Sequence, residues 1–312
     1  MLEKEKDNYK NLFMGSIFIS VACACWAYSF IVPIVLKNYS SSEISIFRYL
    51  FYGFFSGIFY LTKNKKGEVS LKEWFIAFIF ALIGNTLYYS ILIIGIDFAG
   101  AGISVAIAGM VPITVALLGN LILKEYKMSK IIFPLFISLC GVMIINYTNF
   151  ISGGNFTKKS FLGIVACIIS LILWSCYGVA NSEFLKKNRN IDSAKWTNMI
   201  GIMCFVQAII WGGLELKFNS NNFCNFTNVS NIFILCFWTA SLGIISSWLA
   251  TIMWNIGSEK LPVTLAGQII VMEPICGLVY VFLVQRIIPS YTELIGYTIC
   301  ILGVILTLKK IK

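Results

Sequence analysis

Ten long apolar stretches, separated by short polar segments, make up most of the 312 residues. They fall at about 12–36, 44–62, 74–95, 101–123, 131–147, 160–182, 195–215, 231–256, 263–285 and 293–308. Each is near the ~20 residues that an α-helix needs to cross the hydrocarbon core of a bilayer. Such a chain has few choices of fold. No water inside lipid satisfies a free N–H or C=O, so runs of this length must close their hydrogen bonds within themselves, as helices. The sequence therefore predicts an all-α membrane protein with ten transmembrane helices. The longest connection, about 217–230, is Asn-rich and has no room for a soluble domain.

Composition supports this reading. Only 12% of residues are charged, half of what a soluble protein carries, and the charges sit between the apolar runs. The net charge of +10 does not form a basic face with interleaved aromatics, so it does not point to nucleic acid. It serves as a topology signal instead. Lys4, Lys6, Lys10, Lys63, Lys65, Lys66, Lys72, Lys124, Lys127, Lys130, Lys186, Lys187, Arg189, Lys195, Lys260, Lys309, Lys310 and Lys312 fall on one side. Lys37, Arg48, Lys158, Lys159, Lys217 and Arg286 fall on the other. Basic residues favour the cytoplasm, so both termini are expected there. The first apolar stretch is too long for a cleaved signal sequence and reads as the first span.

Nine of the ten cysteines fall within predicted helices, which leaves no exposed pair to bridge. Cys23 and Cys25 point about 200° apart on a helix and cannot share a metal. They read as small packing residues. Histidine is absent, which removes histidine metal sites and relays. No metal or cofactor is expected, nor the catalytic constellation that an intramembrane enzyme would need.

The two halves of the chain resemble each other. Phe13, Gly15 and Trp26 recur as Phe161, Gly163 and Trp174, a shift of 148 residues. Gly95, Met110, Pro112 and Gly141 recur as Gly257, Met272, Pro274 and Gly303, a shift of 162. The expected units are 12–147 and 160–308, each of five helices. An odd number of crossings makes the second unit enter the membrane inverted. Inverted repeats that meet at the midplane are a common construction of alternating-access transporters.

Several residues are candidates for the transport path. Glu273 stands near the middle of the ninth stretch with no other charge before Arg286. A charged side chain at the bilayer centre costs roughly 2.5–3.5 kcal/mol on insertion scales, so this carboxyl must face the bundle interior. It is either a proton-coupling or substrate-amine site, or a protonated acid bonded to a neighbouring helix. Pro112 and Pro274 occupy matching positions, and each loosens the carbonyl four residues earlier, at Ala108 and Ile270. They are candidate hinges, or simple kinks. One helical face of the sixth stretch carries Ser170, Trp174, Tyr177 and Asn181, and the first carries Ala22, Trp26, Ser29 and Pro33. The eighth has Ser241, Trp248, Thr251 and Asn255, and the third has Asn85 with Tyr88 and Tyr89. Polar groups in lipid turn inward, so these faces either line a cavity or bond helix to helix. Gln207 and Gln268 read chiefly as interhelical glue, and Trp74, Trp196, Trp211 and Trp238 as interfacial anchors. Arg48 is expected to snorkel to the outer interface or to pair with Glu43 or Asp97.

The order of these features resembles the drug/metabolite transporter superfamily, in particular its EamA-type members. The resemblance rests on Trp26, on Arg48 within Ser42 to Leu50, and on the Pro112 helix that ends in Leu-Lys-Glu at 123–125. Glu273-Pro274 and the later Gly296 and Gly303 complete it. It covers about residues 12–308, with one departure. Glu125 has no acidic counterpart after the ninth stretch, where Arg286 and Ile287 stand. The resemblance implies a multi-pass protein of the bacterial plasma (inner) membrane, a monomer or homodimer. It would be a secondary transporter that exports amino acids or related compounds, with protons as a candidate coupling ion. An importer or exchanger of nucleosides or S-adenosylmethionine-like solutes is the nearest alternative. A sensory or structural subunit is a more distant one.

Overall fold

The computed structural model describes residues 2–63, 69–145, 157–188, 190–218, 229–286 and 290–311, and every regular element among them is helical. In chain order these are α1 (Leu2–Ala27), α2 (Ser41–Lys63) and α3 (Leu71–Ala99), then α4 (Ala101–Ala108), α5 (Val111–Leu123) and α6 (Met128–Ile145). The second half holds α7 (Lys158–Lys187), α8 (Ser193–Phe218) and α9 (Asn231–Lys260), then α10 (Val263–Ile269), α11 (Met272–Gln285) and α12 (Tyr291–Ile311). Six spans are long and apolar enough to cross a membrane: Tyr9–Phe30, Ser41–Thr62, Leu71–Ala99, Lys158–Lys187, Ser193–Phe218 and Asn231–Lys260. Shorter apolar helices make up the rest. Large apolar side chains such as Phe54, Phe136, Phe161, Ile209 and Phe237 are exposed, as a surface in contact with lipid requires.

Local chemistry sets the ends. Ser70 and Glu73 form a reciprocal capping box that starts α3, which satisfies two amides that a helix N-terminus leaves free. Thr157 accepts from the Ser160 amide at the start of α7, and Lys186 and Lys187 lie in its last turn, where cations suit the helix dipole.

Two expected helices are broken. The stretch 101–123 divides between α4 and α5 at Gly109 and Met110, and 263–285 divides between α10 and α11 at Ile270 and Val271. Pro112 and Pro274 sit within the first three residues of the second segments. A proline is tolerated in a first turn because the N–H it lacks has no intrahelical partner there. The Ile270 carbonyl, expected to be left bare, accepts from the Glu273 amide at 2.9 Å. Two other helices widen locally to π-turns, α3 at Leu82–Thr86 and α9 at Gly243–Leu249.

The helices pack through glycines. A Cβ on Gly257 of α9 would stand 2.9 Å from the Gly15 carbonyl of α1, and one on Gly95 of α3 would stand 3.2 Å from the Gly163 carbonyl of α7. Gly53 of α2 faces the Gly201 carbonyl of α8 at 2.6 Å. Gly141 of α6 faces the Gly296 carbonyl at 2.7 Å, while Gly303 of α12 faces the Pro134 carbonyl at 2.9 Å. Close backbone approach of this kind is how helices associate where no hydrophobic drive exists between them.

Leu12, Leu123 and Leu261 meet in one buried cluster. These three leucines lie at one end of that cluster, the end that holds the start of the first apolar stretch and is called the N-terminal end below. Trp196 is not an interfacial anchor. It is fully buried, stacked on Phe184 with centroids 4.2 Å apart, because the polar residues around it draw its indole N–H inward.

Candidate functional site

A cavity of about 380 Å³ lies in the middle of the bundle, within the range usual for small-molecule sites. Its boundary is built from the irregular parts of the fold. The breaks contribute Ala108, Gly109, Val111, Pro112, Ile270, Val271, Glu273 and Pro274, and the π-turns contribute Gly84, Asn85 and Ser246. These are places where the backbone departs from the regular ladder, as often happens at functional sites. Most of the lining comes from the centre of the bundle and from its half away from the N-terminal end.

One wall is aromatic. Trp26 and Trp174 stand edge to face with centroids 5.7 Å apart. Tyr49, Tyr88, Tyr89 and Tyr297 complete the surface. Trp254 lies behind the two indoles, 5.7 Å from Trp26 and 6.1 Å from Trp174.

A guanidinium and a carboxyl group face the same space. Arg48 neither snorkels nor pairs with Glu43 or Asp97. Its Nε donates to Ser247 Oγ at 2.8 Å, and Nη2 donates to the Ser246 carbonyl at 3.3 Å. The guanidinium lies 5.6 Å from the centroid of the Tyr49 ring. The widened turn of α9 presents the hydroxyl and the carbonyl together, so it fixes the guanidinium at the cavity wall. Glu43 meanwhile accepts from the Ser40 amide at 2.7 Å, at the start of its own helix. Glu273 sits in the first turn of α11, where the helix dipole favours a negative charge. Among the described residues its carboxylate forms no hydrogen bond or ion pair, with Arg48 or otherwise.

Of the residues singled out from sequence, Trp26, Ser29, Asn85, Tyr89, Trp174, Thr251, Glu273, Pro112 and Pro274 line the cavity. Tyr177, Asn181, Trp248 and Asn255 do not. Tyr177 packs flat on Gly84, whose Cβ would meet the ring at 2.5 Å. Asn181 and Asn255 are fully buried in a closed network nearer the N-terminal end. Asn181 donates to Asn255 Oδ1 at 2.7 Å, Asn255 donates to Thr197 Oγ1 at 2.8 Å, and the Trp196 indole donates to Asn181 Oδ1 at 2.8 Å. The Trp248 indole is taken by Asn198 at 2.8 Å. A helical stripe runs the length of its helix, whereas the cavity occupies only part of that length. Gln207 bonds α3 to α8 through Thr86 and the Phe78 carbonyl. Gln268 has no such bond, and both of its amide atoms are buried without a partner.

Sequence reasoning missed Arg48 as a cavity residue, together with Tyr49, Ser246 and Tyr297. The available signal was the Ser246-Ser247 pair beside Gly243, a composition that permits a loosened turn. No group of three side chains suited to a metal gathers among the described residues.

Comparison with known proteins fits this architecture. The model of the EamA-like transporter family matches the chain twice, over residues 13–147 and 161–309. The inner membrane protein YtfF of Escherichia coli is 23% identical over 96% of this chain and 96% of its own length. An uncharacterized transporter of Archaeoglobus fulgidus is 23% identical over 94% of this chain and 97% of its own. A solved crystal structure 15% identical in sequence superposes with a TM-score of 0.74, covering 94% of this chain and 95% of that one.

Proposed function

This chain belongs to the EamA-like transporter family, and on that premise we propose that it carries a small amphoteric metabolite of the amino-acid type by alternating access. The observation behind this reading is the pairing of Arg48 with Glu273 across one cavity. A guanidinium held at its Nε side offers its remaining N–H groups to a carboxylate as a fork. A carboxylate with no partner of its own suits an ammonium group. The two indoles and the tyrosines accept an apolar or planar remainder. Charged groups kept at this depth are expensive, and a solute with both charges would compensate both.

The frame we infer is ten spans in two inverted repeats, 12–147 and 160–308, with both termini in the cytoplasm of a bacterial cell and flux outward. Several features support the repeats. The break at 109–110 maps by the shift of 162 onto 271–272, one residue past the break at 270–271, and the π-turn Leu82–Thr86 maps onto 244–248 within Gly243–Leu249. The Gly15–Gly257 and Gly163–Gly95 contacts each join one half to the other, and the two shifts exchange them. Gly53 with Gly201, and Gly141 with Gly303, are equivalent positions that meet each other's helices across a pseudo-twofold axis. The charge asymmetry of the connecting segments supports the orientation. Glu273 is the candidate for coupling to protons. A nucleoside or S-adenosylmethionine-like solute is favoured by the same aromatic wall, but only the second carries charges that would use Arg48 and Glu273.

The test is export from proteoliposomes loaded with a mixed metabolite extract and followed by mass spectrometry, with and without an imposed pH gradient. Selective loss of zwitterionic solutes is expected. Loss confined to singly charged or neutral solutes would reject the amphoteric reading. Selective loss indifferent to the gradient would remove proton coupling while leaving the solute class intact.

A further inference from the structure

Glu125 follows α5 directly and reaches across to the start of α10. Its Oε1 accepts from the Val263 amide at 2.7 Å, and its Oε2 accepts from the Thr264 amide at 2.8 Å and from the Thr264 hydroxyl at 2.7 Å. Lys186, at the end of α7, lies 3.9 Å from the same carboxylate. One side chain thus ties three helices together at the N-terminal end of the bundle.

Thr264 and Gln268 share one face of α10, and Val271, in the break beyond it, continues the spacing. Thr264 is tied to Glu125 and Val271 lines the cavity. Gln268 lies between them, 2% exposed, with neither amide atom bonded. The indole N–H of Trp254, behind the cavity wall, is likewise buried without a partner. Buried polar groups are nearly always satisfied, so two orphans between a cavity and a tie mark a place that another state of the molecule completes.

In sequence, the opposite end carries no counterpart of the tie. By the shift of 162, Glu125 corresponds to Ile287 and Thr264 to Gly102. Ile287 lies outside the described residues, so its correspondence is one of sequence. The turn before it is repeated, since Lys124 and Arg286 both have left-handed backbones, with φ of 52° and 54°. The carboxylate and the hydroxyl are each replaced by a residue that can make neither bond.

We propose that Glu125 is a positioning residue that closes the route between the cavity and the N-terminal end, and that this route runs along the Thr264–Gln268 face of α10. When the carboxylate lets go, α10 moves from α5, and water or solute satisfies Gln268 and Trp254. With Ile287 and Gly102 at the corresponding sequence positions, the far end has no side chains of that chemistry to match the latch, and the molecule rests with its cavity closed toward the N-terminal end. The inference rests on the chain's being a transporter but not on the identity of its solute.

The test measures access without any solute. Purified Gln268→Cys protein is treated with a charged maleimide, and modification at position 268 is followed by peptide mass spectrometry. Cys167 and Cys204, buried and outside the cavity lining, serve as internal controls. Slow labelling is expected for Gln268→Cys alone, at least tenfold faster labelling with Glu125→Gln added, and an intermediate rate with Thr264→Val, which keeps both amide bonds. Equal rates with and without Glu125→Gln would overturn the proposal, and so would fast labelling of Gln268→Cys alone. Cys167 and Cys204 becoming reactive in step would show general loosening and reject a specific latch. If Glu125→Gln does not yield folded protein, Thr264→Val decides, and no increase with it rejects the proposal. Because no solute enters the assay, its failure and a failure of the transport assay are separate results.

Discussion

Arg48 and Glu273 lie far apart in sequence and face one cavity, with no direct ion pair between them. The guanidinium is oriented by Ser247 and the Ser246 carbonyl, so its direction depends on a fork that lysine lacks. Arg48→Lys is therefore expected to raise the KM for the transported solute nearly as much as Arg48→Ala. A charge-assisted hydrogen bond contributes about 1.5–3 kcal/mol, which corresponds to roughly 10- to 100-fold in apparent affinity. Uptake kinetics in proteoliposomes would measure this, and a lysine variant equal to wild type would remove the fork from the argument. Glu273→Gln keeps the shape and removes the charge. It should abolish any response to a pH gradient while leaving the melting temperature nearly unchanged. Asn181 tests the closed network instead. Asn181→Ala leaves the Trp196 indole and Asn255 without their partner, at about 1–3 kcal/mol per orphaned group. Thermal unfolding in detergent should show a Tm lower by roughly 5 °C or more.

The departures from regular helix are what make room for the cavity. The two broken helices and the two π-turns contribute much of its lining, and unbroken helices would fill the same space with side chains. The regular faces do the opposite and close on one another at glycines. A Cβ at position 303 would lie 2.9 Å from the Pro134 carbonyl and 3.0 Å from the Ser138 amide nitrogen, both backbone atoms. Gly303→Ala should therefore force α12 away from α6 and destabilise the protein by about 1–3 kcal/mol, the usual cost of overpacking. Gly57, also helical, would bring its Cβ within 4 Å of nothing. Gly57→Ala is expected to be neutral or to stabilise by up to about 1 kcal/mol, since alanine is the better helix former. Comparing the two in one melting experiment separates packing from propensity, and equal effects would contradict the packing account.

At the scale of the molecule, a latched N-terminal end and a cavity displaced toward the other end describe one member of a pair of states. The orientation of that pair in the membrane rests on the basic residues and can be tested directly. A green fluorescent protein fused after Lys312 should fluoresce, and alkaline phosphatase fused there should be inactive, because the first matures only in the cytoplasm and the second only outside it. Active phosphatase would reverse the assignment, and with it the direction in which the latch holds the route closed.

The residues alone determined the helical membrane fold, and the span count and the relation between the halves are readings of the same kind. Each follows from a one-dimensional signal: run length against bilayer thickness, charge between runs, and a repeated order of glycine, proline and tryptophan. The aromatic and amide stripes of α1, α3, α7 and α9 were also legible, because helical period alone places them on inward faces. Only the tertiary structure decided which part of each stripe faces open space. Trp174 and Asn181 share a stripe, yet one lines the cavity and the other is bonded into a closed network. It also decided that Arg48 turns inward, because the hydroxyl and carbonyl that hold it come from a turn about 200 residues away in sequence. Hydrophobic period reports a residue's distance from lipid, whereas a cavity depends on where two neighbouring helices fail to touch.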